Sequence, residues 1–308
     1  MRILSDAVNS MNIEYTYKGN GRPSIGIEDM IKVLVIKVFN GFSQRRTIPD
    51  LYMAKGLGYI PEVPHFNSIS NYFNSTELTY YLEQLYRILA MPFIPIEQYF
   101  AIDSTGFGKY NTNWTASKYK NASMRSFNKL HIICGVRTNI IVIAKVTDAH
   151  QHDSLQFPKM LKETCKIFTV KEISADKGYL ALYNVNAAKE LGVVPYIMPK
   201  KNTKLYSKKR WVDGEAWDRM VLMWRHKEEE FRKHYHLRSN VESSFSMMKR
   251  KFLPFIRSKN PIAQKNEILA KVACHNISVL VHSIFELGLN IDFKNIDSTD
   301  ERREYYDA

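Results

Sequence analysis

Four side chains with complementary chemistry stand at fixed spacing late in the sequence: Tyr235, Arg238, Glu242 and Lys249. On one continuous α-helix each residue advances about 100°. Tyr235 and Lys249 then sit about 20° to either side of Glu242, and Arg238 about 40° away. A phenol, a guanidinium, a carboxylate and an ammonium would share one face, within about two turns of the acid. The plain alternative is a solvated face with an i,i+4 Arg238–Glu242 pair, which stabilises a helix by roughly 0.2–0.5 kcal/mol. A second alternative is that Ser239-x-x-Glu242 is a capping box. The helix would then start at Ser239 and leave Tyr235 and Arg238 outside it.

Two further carboxylates come earlier. Short apolar runs at 99–102 and 172–175 lead into Asp103-Ser-Thr-Gly-Phe-Gly and Asp176-Lys-Gly-Tyr. If these runs are neighbouring strands, their ends bring Asp103 and Asp176 together at the edge of an α/β sheet where ligands bind. Ser104, Gly106, Gly108 and Gly178 let a backbone approach closely. Three carboxylates without His or Cys favour oxygen-loving cations such as Mg²⁺ or Mn²⁺. Two such ions about 3.5–4 Å apart can activate a water or a 3′-hydroxyl and stabilise the leaving oxygen of a phosphodiester. Other candidates have plainer readings. His150, His152 and Asp153 suggest a softer metal site, but a helix cap or loop contact by Asp153 accounts for them. Trp217 and Trp224 read as core. Trp211, beside Lys208, Lys209 and Arg210, is open between packing and a platform for an unstacked base.

The charge distribution suits a polyanion. The net charge is +13. Residues 1–98 carry nine Lys/Arg and nine Asp/Glu, so the other 35 basic and 22 acidic residues supply the whole excess (35 − 22 = 13). Residues 104–147 hold seven basic residues (Lys109, Lys118, Lys120, Arg125, Lys129, Arg137, Lys145) and no acid. Lys200, Lys201, Lys204, Lys208, Lys209 and Arg210 form a second concentration. Focused basic charge of this kind points to nucleic acid. No basic amphipathic helix points to a membrane surface. The apolar stretch at 31–39 is short and carries Lys32 and Lys37, so it predicts no membrane span. Residues 1–10 show no signal peptide, and the three cysteines are odd in number and widely spaced. A reducing cytoplasm is therefore expected.

Hydrophobic periodicity divides the 308 residues into segments. Residues 1–26 read as an irregular lead-in. Helices are predicted at 27–39, at 43–55 with a break near Pro49, at 67–73 and at 77–89. Such a module either packs plainly or places one helix in a DNA groove. After Pro92 and Pro95, strands are predicted at 99–102, 129–136 and 140–146, forming an antiparallel meander. A helix at 155–166, a strand at 172–175, a helix at 180–191 and a strand at 193–198 follow. A basic insertion at 199–214, a long helical region at 215–252, a closing helix at 266–287 and a polar tail complete the order.

Asp103 in Ile-Asp-Ser-Thr-Gly-Phe, Asp176 in Ala-Asp-Lys-Gly-Tyr and Glu242 resemble the acidic triad of DDE transposases of prokaryotic insertion sequences. Tyr235, Arg238, Glu242 and Lys249 match that family's Y-x2-R-x3-E-x6-K signature. Thr147-Asp-Ala-His-Gln-His-Asp-Ser and the Gly-Arg-Pro-Ser opening resemble it as well, so the likeness covers roughly residues 20–285. It implies an α/β fold: a ribonuclease-H-like mixed sheet flanked by helices, preceded by a small all-α module. The implied division is a helical DNA-binding module at 1–95, a catalytic domain at 96–288 and a tail at 289–308. Asp103 would bridge two Mg²⁺ or Mn²⁺ ions, with Asp176 and Glu242 each completing one site. Arg238 and Lys249 would hold phosphates and Tyr235 would position DNA, with Lys200, Lys201, Lys208, Lys209, Arg210 and Trp211 as further contacts. The reaction would be nicking at transposon ends, then attack of the freed 3′-hydroxyl on target DNA. Its partners would be double-stranded terminal inverted repeats, target DNA and a second copy of the chain or a larger synaptic assembly, at a prokaryotic nucleoid. Some members carry a large β-rich insertion between the second Asp and the Glu. Here that interval is 66 residues (242 − 176), and a hairpin route through such an insertion is not implied. The alternatives are an inactive DNA-binding descendant and a ribonuclease-H-fold nuclease or resolvase that cuts without joining.

Overall fold

The computed structural model describes residues 1–14, 25–109, 127–206, 213–289, 291 and 293. The Gly-Arg-Pro-Ser opening, Lys118, Lys120, Arg125, Lys208, Lys209, Arg210, Trp211 and nearly all of the tail lie outside the described residues. Two compact units emerge: Met1–Pro92 with Phe107–Asn128 and Met247–Ala308, and Phe93–Gly106 with Lys129–Ser246.

The first unit is helical. It contains α1 (Arg2–Asn9), α2 (Ile27–Asn40), α3 (Gln44–Gly56), α4 (Phe66–Phe73), α5 (Thr76–Ala90) and a long helix, α11 (Pro261–Leu287). Glu28 and Asp29 stand at the positive N-terminal end of α2, and Gly41 ends it at φ 66°, a left-handed conformation that glycine adopts without strain. The His65 and Ser75 side chains accept hydrogen bonds from the Asn67 and Glu77 amides and so start α4 and α5. Two expectations fail here. The lead-in is not irregular, because α1 buries Leu4, Ala7 and Val8. Their i, i+3, i+4 spacing is a helical signature. Pro49 does not break α3. It lies on the exposed side, and the carbonyl it leaves unbonded belongs to exposed Arg45, where water can satisfy it.

α11 starts with Asn260 capping the Ile262 amide and Pro261 at its first position, five residues before the expected start. It is long and apolar enough to cross a membrane, with a mean hydropathy of 1.5 over its best 18-residue window, yet 72% of that window is buried inside the protein. Ile268, Leu269, Val272 and Leu280 are wholly buried, each stabilising by about 1.5–3 kcal/mol. Two buried asparagines fix its position. Asn266 Nδ2 donates to the Phe73 and Ser75 carbonyls, each at 2.9 Å, and Asn266 Oδ1 accepts from Thr79 Oγ1 at 2.6 Å. Asn276 Nδ2 donates to Tyr86 O at 2.9 Å.

The strands are β1 (Tyr99–Lys109), β2 (Phe127–Gly135), β3 (Ile141–Asp148), β4 (Glu172–Ala175), β5 (Val194–Ile197) and β6 (Phe255–Ile256). Among the described residues they form a six-stranded sheet in the order β3-β2-β1-β4-β5, with β6 pairing to β1. β1 and β4 are parallel, as are β4 and β5. Five residues (136–140) join β2 to β3, too few for a parallel crossover, so that pair is antiparallel. The turn is held by buried Glu97, which accepts from the Thr138 amide at 2.7 Å and hydroxyl at 2.8 Å. Gly135 is required there, since a Cβ would collide with the Glu97 carboxylate. β1 is longer than expected: it runs on past Asp103, and its Gly108 and Lys109 pair with β6, a strand the sequence did not predict.

Helices flank the sheet: α6 (Phe157–Ile167), α7 (Leu182–Glu190), α8 (Glu215–His226), α9 (Glu228–Tyr235) and α10 (Ser239–Phe252). The expected long helical region is thus three helices, with a 3-10 turn at His236–Arg238 between α9 and α10. The mixed sheet, its order and its helical cover are the α/β, ribonuclease-H-like class expected, with helices preceding it.

Candidate active site

The parallel register of β1 and β4 ends with Ile102 opposite Ala175. Asp103 and Asp176 are the next residues on each chain, so the two carboxylates leave adjacent strands at the same level. Apolar Phe100, Ala101, Ile102, Ile173 and Ala175 are buried and hold that register. Each aspartate bonds its own following amide. Asp103 Oδ1 accepts from Ser104 N at 2.8 Å, and Asp176 Oδ1 accepts from Lys177 N at 2.7 Å, capping the 3-10 turn Lys177–Tyr179.

The third acid comes from α10. Ser239 does not form the capping box. Its backbone is helical, and its hydroxyl donates back to His236 O at 2.9 Å. The tighter 3-10 turn therefore carries the chain from α9 into α10 without a break in direction of winding, and the i,i+4 relation survives. Arg238 Nη2 donates to Glu242 Oε1 at 2.6 Å, and Nη1 donates to Asp103 Oδ2 at 3.1 Å. The Arg238 and Asp103 side chains are each 20% exposed, and Glu242 is 58% exposed. Burial pushes the Asp103 carboxyl above the usual carboxylate range. The Ser104 amide and Arg238 pull it down, and Asp176 and Glu242 push it up again. Asp103 thus feels both of the other acids. Among the described residues no three His, Cys, Asp or Glu side chains converge closely enough to hold a metal ion as they stand. Between Asp103 and Glu242 lies a guanidinium. The donor set itself is oxygen-only and anionic, which suits Mg²⁺ or Mn²⁺.

Tyr235 lies beside Arg238, whose Cζ is 5.9 Å from the ring centroid, and stacks on Phe231. Burial raises its phenol above the ordinary value. Lys249 is on α10, its Nζ 5.4 Å from the Phe107 ring, and burial lowers its ammonium. Lys200 and Lys201 are exposed. The segment after them is tied to α8 by Trp217 Nε1 donating to Lys204 O at 3.0 Å, Arg225 Nη2 donating to Thr203 O at 2.6 Å, and the Tyr206 amide donating to Asp218 Oδ1 at 2.6 Å. Trp217 is buried, as its plain reading required, and Trp224 is half-buried.

Several supporting residues have no obvious signal in the sequence. His234 Nδ1 lies 2.7 Å from Glu172 Oε2, and its ring stacks on Tyr196 at 4.5 Å. Together with buried Phe231 against Tyr196, this fastens α9 to β4 and β5 and so positions Tyr235 and Arg238. Asp153 accepts from Lys129 Nζ at 2.9 Å rather than capping the 3-10 turn that it opens, while His150 and His152 are exposed. Tyr179, foreshadowed by Asp-Lys-Gly-Tyr, is buried against Phe157. Its hydroxyl has no well-formed hydrogen bond. Burial raises it far above the ordinary phenol range, Asp103 and Asp153 push the same way, and the Ser104 side chain eases the shift.

The strand order and helical cover define an α/β domain built on a mixed sheet. The family model described as "Transposase DDE domain" matches residues 95–277, well over half of the chain, and the chain belongs to that family. A solved piggyBac transposase, in a synaptic complex with hairpin DNA, aligns with 99% of this chain and 77% of its own, at 12% identity and a TM-score of 0.42. No curated protein matches the sequence.

Proposed function

We propose that this chain is a metal-dependent DNA transposase that nicks DNA at transposon ends and joins the freed 3′-hydroxyl to target DNA. One observation carries it: Asp103 and Asp176 stand side by side where β1 and β4 part, and Arg238 links Asp103 to Glu242. Asp103, Asp176 and Glu242 would hold the divalent ions. Bound there, Mg²⁺ or Mn²⁺ supplies activation of a water or 3′-hydroxyl and charge stabilisation of the leaving oxygen.

The rest is work for the chain's own residues. Arg238 and Lys249 pair with phosphates, Arg238 through its planar fork. Tyr235 packs against the DNA beside the scissile bond. Exposed Lys200 and Lys201 track the backbone, extended by Lys208, Lys209, Arg210 and Trp211, which lie outside the described residues. The helices of residues 1–95 form a DNA-binding module in front of a catalytic domain at 96–288. Terminal inverted repeats and target DNA are the partners, within a dimer or larger synaptic assembly at a prokaryotic nucleoid.

Asp103→Ala and Glu242→Ala should each lower Mg²⁺-dependent nicking of an end-bearing duplex by at least about 10³-fold while duplex binding by gel shift stays near wild type. Nicking retained by pure Glu242→Ala protein removes that residue from the mechanism. Nicking without joining in a strand-transfer assay identifies a nuclease instead. No metal-dependent nicking identifies an inactive descendant.

A further inference from the structure

Arg238 stands where a cation is wanted. Asp103 Oδ1 is committed to the Ser104 amide at 2.8 Å, which leaves Oδ2 to take a positive partner. Arg238 Nη1 fills that role at 3.1 Å, and Nη2 takes Glu242 Oε1 at 2.6 Å. The Arg238 side chain is four-fifths covered, with the Tyr235 ring on one side, and its fork is held by two carboxylates at once. A side chain at this position both neutralises two of the three acids and lies between them. A divalent ion bridging from Asp103 would have to displace it against like-charge repulsion. Phosphate offers the same fork an equivalent bidentate partner, so exchanging carboxylates for DNA is nearly balanced in bonding.

We infer that Arg238 is an internal placeholder that keeps divalent ions out of the Asp103–Glu242 site until DNA phosphate draws the guanidinium away, so that substrate engagement precedes metal loading. This rests on Asp103, Asp176 and Glu242 being the metal ligands, as proposed above. Before DNA binds, the acids are held close without bound metal and the site is protected from idle hydrolysis. When DNA binds, one movement frees two ligands and supplies a phosphate clamp. Linkage then requires DNA and metal to tighten each other's binding.

Calorimetric titration of Mn²⁺ into the full chain, without DNA, tests the inference. Arg238→Gln should bind Mn²⁺ about tenfold or more tightly than wild type, and Asp103→Asn in that background should abolish the gain. Arg238→Lys, which keeps the charge but cannot span both carboxylates, should show a smaller gain; it decides the matter if circular dichroism finds Arg238→Gln unfolded. Lys177→Gln, which removes one exposed charge beside Asp176, should change affinity less than about threefold. Added duplex, with its own Mn²⁺ uptake subtracted, should tighten Mn²⁺ binding by wild type about fivefold more than by Arg238→Gln. Equal, Asp103-dependent Mn²⁺ affinity in wild type and the Arg238 variants overturns the placeholder while leaving the metal site intact. An equal gain from Lys177→Gln also overturns it, by reducing the effect to general charge. Mn²⁺ binding that is absent throughout, or indifferent to Asp103, overturns both this inference and the metal-site reading beneath it.

Discussion

His131 shows what a single side chain contributes behind the carboxylates. It is wholly buried, with Nε2 2.9 Å from Thr147 Oγ1 and Nδ1 3.6 Å from Asp153. Burial lowers its pKa from 6.5 to about 4, Asp153 opposing and Lys129 adding to the shift. Between these values the unfolded imidazole is protonated and the folded one is neutral, so the unfolded chain binds more protons. Stability must therefore fall as pH drops from 6.5 towards 4, by up to about 3 kcal/mol. Urea midpoints at several pH values, compared with those of His131→Gln, measure that slope; an identical slope in the variant removes His131 as its source. At this scale the sequence is informative about kinds of residue and less so about partners. Asp103, Asp176 and Glu242 could be picked out as candidates because their order, strand ends and helical spacing are local features. The Arg238–Asp103 bond and the His234–Glu172 bond join residues 135 and 62 positions apart, which no local pattern encodes.

Among elements, α11 carries the clearest expectation. Asn266→Ala removes three hydrogen bonds and deprives the buried Phe73 carbonyl and the half-buried Ser75 carbonyl of their donor. It should cost about 3 kcal/mol in urea unfolding; a loss below about 0.5 kcal/mol would mean water replaces the amide without penalty. Most elements were readable from periodicity and punctuation, Glu172–Ala175 to the residue. The misses have physical causes. α1 hid because only three core positions mark it. β1 outran its apolar run, and its last two residues, Gly108 and Lys109, are strand by pairing with β6, not by composition. The 3-10 turn at His236–Arg238 carries no breaker residue. It keeps Tyr235 and Glu242 beside Arg238, while the continuous helix on which the one-face expectation rested is not formed.

For the whole molecule, the proposed function together with the excess of 13 positive charges predicts a DNA affinity governed by counterion release. Each phosphate neutralised by Lys or Arg should contribute about 0.9 to the steepness of log affinity against log salt. Lys200→Ala combined with Lys201→Ala should weaken binding to all duplexes alike and lower that slope by roughly 2; an unchanged slope would take this loop away from DNA. The sequence made the excess plain, because residues 1–98 are neutral and the surplus lies beyond them. It could not show which of those charges share a surface with the acids, since that depends on folding.

The packing of α11 against α2 and α5 also sets a clock. Pro261 follows Ala90 by 171 residues (261 − 90). At ribosomal speeds of about 5–20 residues per second, the opening helices wait roughly 10–30 s for the partner that covers them. Throughout that interval Leu82, Leu85 and Leu89, sealed in the finished protein, are within reach of chaperones and proteases. A message cut short before the codon for Pro261 would yield a chain whose α2 and α5 never find their lid.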